Sequence, residues 1–356
     1  MSEKKILLIG EYPPPFAGIA VQTKQLYELL VENQIQAYVI PTLQKRTGFF
    51  SFINNLRYIR GLVNIGFYYV KIIKIRKFNI IHILSSSGLN FYIFTIPALI
   101  TSKLFGKKTI IHYHGGSAKA FFKNNPNALK FSDKLTDSLV VPSVFLQNVF
   151  DDLGISSNII PNAISLERFK FINRKEIKPN ILSARNLTST YNISCAIQAF
   201  KILHSHFPQA KLTIAGDGPE KSKLISLTKN LNIEESVIFT GNIPNSQMNE
   251  LYEKSDILIN TSNIDNMPVS ILEAQAIGLV VVTTNPGGIP FMISDGINGY
   301  LSKIKDYEEL GNALIRTIED QDLSLRLIKQ GRKDVKNMGR EIVYKQWSDL
   351  YNQLCD

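Results

Sequence analysis

The chain is poor in cysteine. Cys195 and Cys355 are the only two among 356 residues, far apart and without the spacing of a metal knuckle or a redox pair. A disulfide framework and a thiolate cluster are thereby excluded, and reduced thiols in a cytosolic chain are expected. Long hydrophobic runs are missing too. The longest, "LNFYIFTIPALITSKLF" over 89–105, is broken by Asn90, Thr95, Pro97, Thr101, Ser102 and Lys103. It falls short of the roughly 20 apolar residues that a spanning helix needs, and reads as a buried helix. The opening "MSEKKILLIGEYPPP" has only a few apolar residues before Gly10 and Glu11, too few for the core of a signal peptide.

Acid is missing where base is concentrated. From Leu43 to Lys77 stand Lys45, Arg46, Arg57, Arg60, Lys71, Lys74, Arg76 and Lys77 with no carboxylate, most of the net charge of +10. Aromatics interleave with these cations, a composition suited to an anionic lipid surface. At 100° per residue Arg57, Arg60, Lys71 and Lys74 share one helical sector, with Gly61 and Gly66 weakening its continuity. A solvated helix face is the plain alternative. No motif that reads nucleic acid accompanies the charge, so a nucleic-acid partner is not expected.

What is present describes an α/β protein. With 44% hydrophobic residues, the length points to two domains. Short β-branched runs, "KILLIG", "QAYVIPT", "NIIHILSS", "KKTIIHYH", "DSLVVPS" and "SNIIPN", alternate with helix-length segments. After the charged stretch "KFINRKEIKPN" a second series begins: "ILSAR", "AKLTIAG", "SVIFTG", "DILINTS" and "LVVVTT". This pattern predicts two mostly parallel, doubly wound sheets, joined near 165–178 and facing a cleft. The expected domains are 1–168 and 178–339. The amphipathic helix 340–356, with Ile342, Trp347, Leu350, Tyr351 and Leu354 as its apolar positions, returns to the first domain.

In such sheets ligands bind beyond the carboxyl ends of the strands, so the loops there hold the candidate residues. After the first strand, Gly18 opens a helix where backbone N–H groups can approach a phosphate. After the fourth, His112 and His114 lie on one face; the following Gly115-Gly116 opens space and favours His114, leaving His112 and His82 as satisfied core histidines. No ligand cluster suggests a metal. Arg185 ends a strand, where a forked guanidinium suits a diphosphate. Gly216 lies in the tight turn of "IAGDGPE". "NMPVSILEAQAIG" is a short helix with Pro268 in its first turn and Gly278 at its close. Asp265 stands in the loop before it and Glu273 more than one turn inside. The free N–H groups of Asn266, Met267, Val269 and Ser270 make the helix start an anion site. The two carboxylates, poor partners for phosphate, suit hydroxyls on either side. A helix-start acid and a solvated glutamate are the plainer reading.

The chain resembles the family 4 retaining glycosyltransferases of the GT-B fold. The resemblance rests on "EYPPPFAGIAVQTKQL", "HYHGG", "SVFLQNVF", "IIPNAISLERF", "AGDGPE", "FTGNIPNSQMNELYEKSDILINTS", "NMPVSILEAQAIGLVVVTTNPGGIPFMISDGINGYL" and "WSDLY", in this order and nearly end to end. It implies metal-independent transfer of a sugar, with retention, from a UDP- or GDP-sugar to a glycan or lipid-linked acceptor at the inner membrane face, and needs no cofactor. It places base and ribose on Glu273, the diphosphate on Arg185 and the helix start, the donor sugar near Asp265 and His114, and Gly18 beside the diphosphate. Two positions depart from the family. Asp265 replaces the first glutamate of a pair, and Thr190-Tyr191 stand where a lysine is usual. The departures keep a second reading open, a non-catalytic partner that binds sugar nucleotide. A GT-B epimerase of UDP-GlcNAc shares the fold without the motif order.

Overall fold

The computed structural model describes residues 4–14, 18–42 and 57–355, apart from the side chains of residues 57–60, 245 and 246. Two compact units are present, one of residues 1–163 with 341–356 and one of 164–340.

The N-terminal unit is built on β1 (Lys5–Gly10), β2 (Gln36–Pro41), β3 (Ile80–Ser85), β4 (Lys108–Tyr113), β5 (Ser138–Val141) and β6 (Asn158–Ile159). Every pairing is parallel, in the order β2-β1-β3-β4-β5-β6. Side chains alternate between faces along a strand, and both faces here are covered. Leu7, Ile9, Ile81, Ile83 and Ile111 enter one core. Ile6, Leu8, Ile80, Ile110 and Val140 enter the other, which is closed by Trp347 and Tyr351 of the helix Arg340–Cys355. Trp347 is 2% exposed; burying a side chain of that size contributes about 3 kcal/mol. Ile342, expected on the apolar stripe of this helix, is exposed; Val343 takes the inward place.

The C-terminal unit repeats the scheme with β7 (Asn180–Ala184), β8 (Lys211–Ala215), β9 (Val237–Gly241), β10 (Ile257–Asn260), β11 (Val280–Thr284) and β12 (Tyr300–Ser302). These strands are also all parallel, in the order β12-β11-β10-β7-β8-β9. In each sheet the strand order reverses once, between β1 and β3 and between β7 and β10. Crevices open at such switch points.

Three expectations change. The stretch read as a joint belongs to the C-terminal unit: Phe169 and Ile177 are buried. Between them Arg174 pairs with Asp256 (Nε to Oδ1, 3.2 Å) and donates to the carbonyls of Gly278 (2.8 Å) and Ile277 (3.3 Å). The segment 89–105 is a π turn, Phe91–Thr95, followed by the helix Ile96–Leu104. It is covered on one side only, with Tyr92, Ile100, Leu104 and Phe105 exposed. Finally, the helix Arg57–Ile72 runs through Gly61 and Gly66 unbroken but passes into a 3₁₀ turn, Ile73–Lys77, so Lys74 leaves the helical sector. Lys71 is half-buried and Lys74 exposed; the side chains of Arg57 and Arg60 lie outside the described residues.

Candidate active site

The switch point of the C-terminal sheet gathers most of the residues singled out in the sequence. Arg185 follows β7 directly, and its N–H donates to the carbonyl of Ala215 (3.1 Å), extending the ladder to β8. Its guanidinium spans the switch: Nε donates to Asn260 Oδ1 at the end of β10 (3.0 Å), and Nη2 is ion-paired with Asp265. Beneath it lies the ring of Tyr191, centroid 4.7 Å from Cζ. The Tyr191 face supports the cation, a contact worth about 0.5–2 kcal/mol.

Asp265 is held at both oxygens. Oδ1 accepts the N–H of Asn266 and Oδ2 the hydroxyl of Ser262, each at 3.0 Å. The loop after β10 thus folds back so that this carboxylate meets a guanidinium, where hydroxyl recognition had been expected. The Arg185 side chain is 14% exposed and that of Asp265 12%, so the pair is largely desolvated. In such pairs attraction and desolvation nearly cancel, but removing one partner strands the other charge.

Gly216 has a positional reason. Its φ is +150°, and a Cβ there would stand 2.1 Å from the carbonyl oxygen of Arg185. Only glycine lets the end of β8 pass so close to the arginine backbone.

The helix Val269–Ile277 starts immediately after Pro268, in extended backbone, and ends at Gly278 with φ +91°. Its first N–H groups have no carbonyl within the helix to meet. Ser270 is buried in this first turn and its hydroxyl has no partner. Asn266 and Met267 are buried beside it. One turn on, Glu273 is 9% exposed, which overturns the solvated-glutamate reading. Tyr252 donates its hydroxyl to Glu273 Oε2 (2.7 Å). Burial pushes the Glu273 carboxyl up to about 7, partly offset by that hydrogen bond and by the charges of Arg168 and Arg185. The structure therefore joins Arg185 to Asp265 and sets Glu273 apart on the helix. Asn260, Ser262, Tyr252 and Arg168 were missed. A polar side chain ending the buried strand "DILIN" was a usable signal for Asn260; nothing local marks Tyr252, 21 residues before its partner.

Gly18 and His114 belong to the N-terminal unit. Gly18 opens the helix Gly18–Glu32 with φ +36°. His114 follows β4, is half-buried, and donates its N–H to the Ser85 carbonyl (2.9 Å). Burial pushes its imidazole down to about 4. His112 is buried as expected of a core residue, but neither ring nitrogen finds a partner, so it is not satisfied. Its ring stacks between His114 (4.0 Å) and Trp347 (4.9 Å). His82 does find one, Nδ1 to the hydroxyl of Tyr351 at 2.8 Å. Among the described residues no group of three or more histidine, cysteine or carboxylate side chains is placed to hold a metal ion.

Residues 165–334 match the family described as Glycosyl transferases group 1. N-acetyl-alpha-D-glucosaminyl L-malate synthase of Bacillus anthracis is 28% identical over 217 residues, 61% of this chain and 56% of that protein. UDP-Gal:alpha-D-GlcNAc-diphosphoundecaprenol alpha-1,3-galactosyltransferase of Escherichia coli is 24% identical over 351 residues, 90% of this chain and 84% of that one. The chain thus spans little more than half the length of the first relative and most of the second. Among solved structures, Anabaena HepE in complex with UDP superposes with a TM-score of 0.78 at 17% identity, covering 98% of this chain and all of that one. The same protein with UDP-glucose gives 0.76, at 17% identity and with 98% and 99% covered. The fold is GT-B. The chain carries a glycosyl transferases group 1 domain and is a member of that family.

Proposed function

We propose that the protein is a family 4 glycosyltransferase that moves a sugar, with retention and without a metal, from a UDP-sugar to a glycan or lipid-linked acceptor in glycoconjugate assembly. One observation carries the reading: the C-terminal switch point combines a guanidinium, a helix start with an unpartnered buried Ser270 hydroxyl, and the Glu273 carboxyl one turn inside. A diphosphate takes the helix N–H groups and the Ser270 hydroxyl, and Glu273 accepts ribose hydroxyls. Departure of the diphosphate builds negative charge that Arg185 and the helix start stabilise, electrostatic catalysis without a protein base. HepE binds UDP and UDP-glucose, which favours UDP over GDP.

Calorimetry against UDP, GDP and CDP tests this. UDP is expected to bind, Glu273→Ala to weaken it, and Arg185→Ala to depress turnover more than affinity. No binding of any nucleoside diphosphate, or both variants at wild-type values, would refute the proposal. A binding-only protein is favoured by one observation: Arg185 is already engaged by Asp265. Nucleotide binding without transfer from any sugar nucleotide supports that reading.

Membrane association belongs to the same proposal. In the helix Arg57–Ile72 the inward face is Asn64, Tyr68 and Ile72, and the opposite face presents Leu62 and Val70, 71% and 72% exposed. Tyr69 and Ile73 flank them, with Lys74, Arg76 and Lys77 exposed alongside. Apolar side chains aimed away from a core and bordered by cations suit the interface of an anionic membrane. Among the described residues no helix is long and apolar enough to cross a bilayer. Co-sedimentation with phosphatidylglycerol vesicles, lost on Leu62→Asp with Val70→Asp, is the expected result. Binding that is unchanged in the double variant removes the helix from the account.

A further inference from the structure

The N-terminal sheet has its own switch point, between β1 and β3, and a pocket of about 310 Å³ opens there. Glu11, just past β1, and Asn90, after β3, face each other across it: the Asn90 amide donates to Glu11 Oε1 at 3.3 Å. Thr42, whose N–H is held by the Gly10 carbonyl (2.9 Å), and Ser86 add polar lining, while Ile19 and Phe94 supply apolar surface. None of the residues lining the pocket is basic, and no ion pair among the described residues neutralises Glu11. Burial pushes its carboxyl above the usual range.

This chemistry selects its ligand. A carboxylate without a counter-ion at a crevice repels phosphates and carboxylates, but it accepts hydroxyl donors strongly. An amide beside it both donates and accepts. Aliphatic and aromatic side chains opposite match the C–H face of a sugar ring. The volume lies at the low end of the ~300–1,000 Å³ range of small-molecule sites, enough for one ring and not for a dinucleotide. We infer that the cup formed by Glu11, Thr42, Ser86 and Asn90 is a binding subsite for an uncharged sugar, the hydroxyl-bearing end of the acceptor, with Glu11 receiving its ring hydroxyls. As an acceptor subsite it rests on the proposed transferase function; as a sugar site it does not.

The test is saturation-transfer NMR on the full chain, with UDP and methyl glycosides of glucose, galactose and N-acetylglucosamine in the same sample. Separate samples contain glycerol 3-phosphate. At least one glycoside is expected to receive saturation. Its affinity should fall at least about tenfold in Glu11→Gln, and similarly in Asn90→Asp, which sets a second carboxylate against the first. UDP signals in each variant should stay as in wild type, which also reports that the variant is folded. Glycoside binding unchanged in both variants, binding of glycerol 3-phosphate alone, or no glycoside signal beside a clear UDP signal would each overturn the subsite. If UDP fails to bind while glycoside binding still depends on Glu11, the sugar site stands and the transferase proposal falls.

Discussion

Glu273→Gln should make the protein more stable at pH 8 and poorer at binding nucleotide. The carboxyl sits at about 7 in the folded chain, above its ordinary 4.5, because it is buried. As pH rises from 4.5 to 7 the unfolded chain releases this proton while the folded chain keeps it. The unfolded state then binds fewer protons, and stability falls with rising pH. Above 7 the whole penalty is present, of order 3 kcal/mol at 1.36 kcal/mol per pH unit. Glutamine keeps the shape and the acceptor for the Tyr252 hydroxyl but has no charge to desolvate. Near pH 4 the two proteins should therefore have similar stability, with the variant gaining through pH 5–7. Scanning calorimetry across that range reads the transition of the C-terminal unit. The single tryptophan, Trp347, lies in the N-terminal unit, so its fluorescence melt is an internal control that should not move. In return UDP affinity should fall about tenfold, one charge-assisted hydrogen bond to a hydroxyl. A variant that is less stable than wild type at pH 8, or a difference independent of pH, would show that the buried carboxyl is not the source of strain.

Two further outcomes are expected. Arg174→Ala should destabilise the C-terminal unit by about 3–5 kcal/mol, because Asp256 is left buried without its partner, and calorimetry should show that transition alone moving down. Tyr191→Phe should leave UDP affinity and turnover near wild type, since the phenyl face still supports Arg185, whereas Tyr191→Ala should lower both; equal losses in the two would assign the effect to the hydroxyl.

The alternation of apolar runs with helix-length segments made the double sheet legible, because burial on both faces forces nearly continuous Val, Ile and Leu. Only β12 escaped: three residues, Tyr300–Ser302, carry too little pattern. Charge misled where it is buried. "NRKE" reads as solvated, yet Arg174 is among the least exposed cations, satisfied by carbonyls from 78 to 104 residues away. The helix start, Pro268 and Gly278 are local features and were readable as such. The pairing of Arg185 with Asp265, 80 residues apart, depends on how a loop folds back and has no local trace. The same holds for Glu11 and Asn90, which meet only because the sheet reverses its strand order between them.

The helix Arg340–Cys355 completes a core begun at Lys5, with the entire C-terminal unit intervening in the chain. A ribosome must therefore release all of that unit before the first sheet can be covered on its second face. Until then Ile6, Leu8, Leu26 and Leu30 stay open to water or to a chaperone, and the unit translated second has the opportunity to finish first, reversing the usual order of synthesis and folding. A chain interrupted anywhere after residue 163 is left with an uncovered hydrophobic face, a mark by which the cell can recognise it.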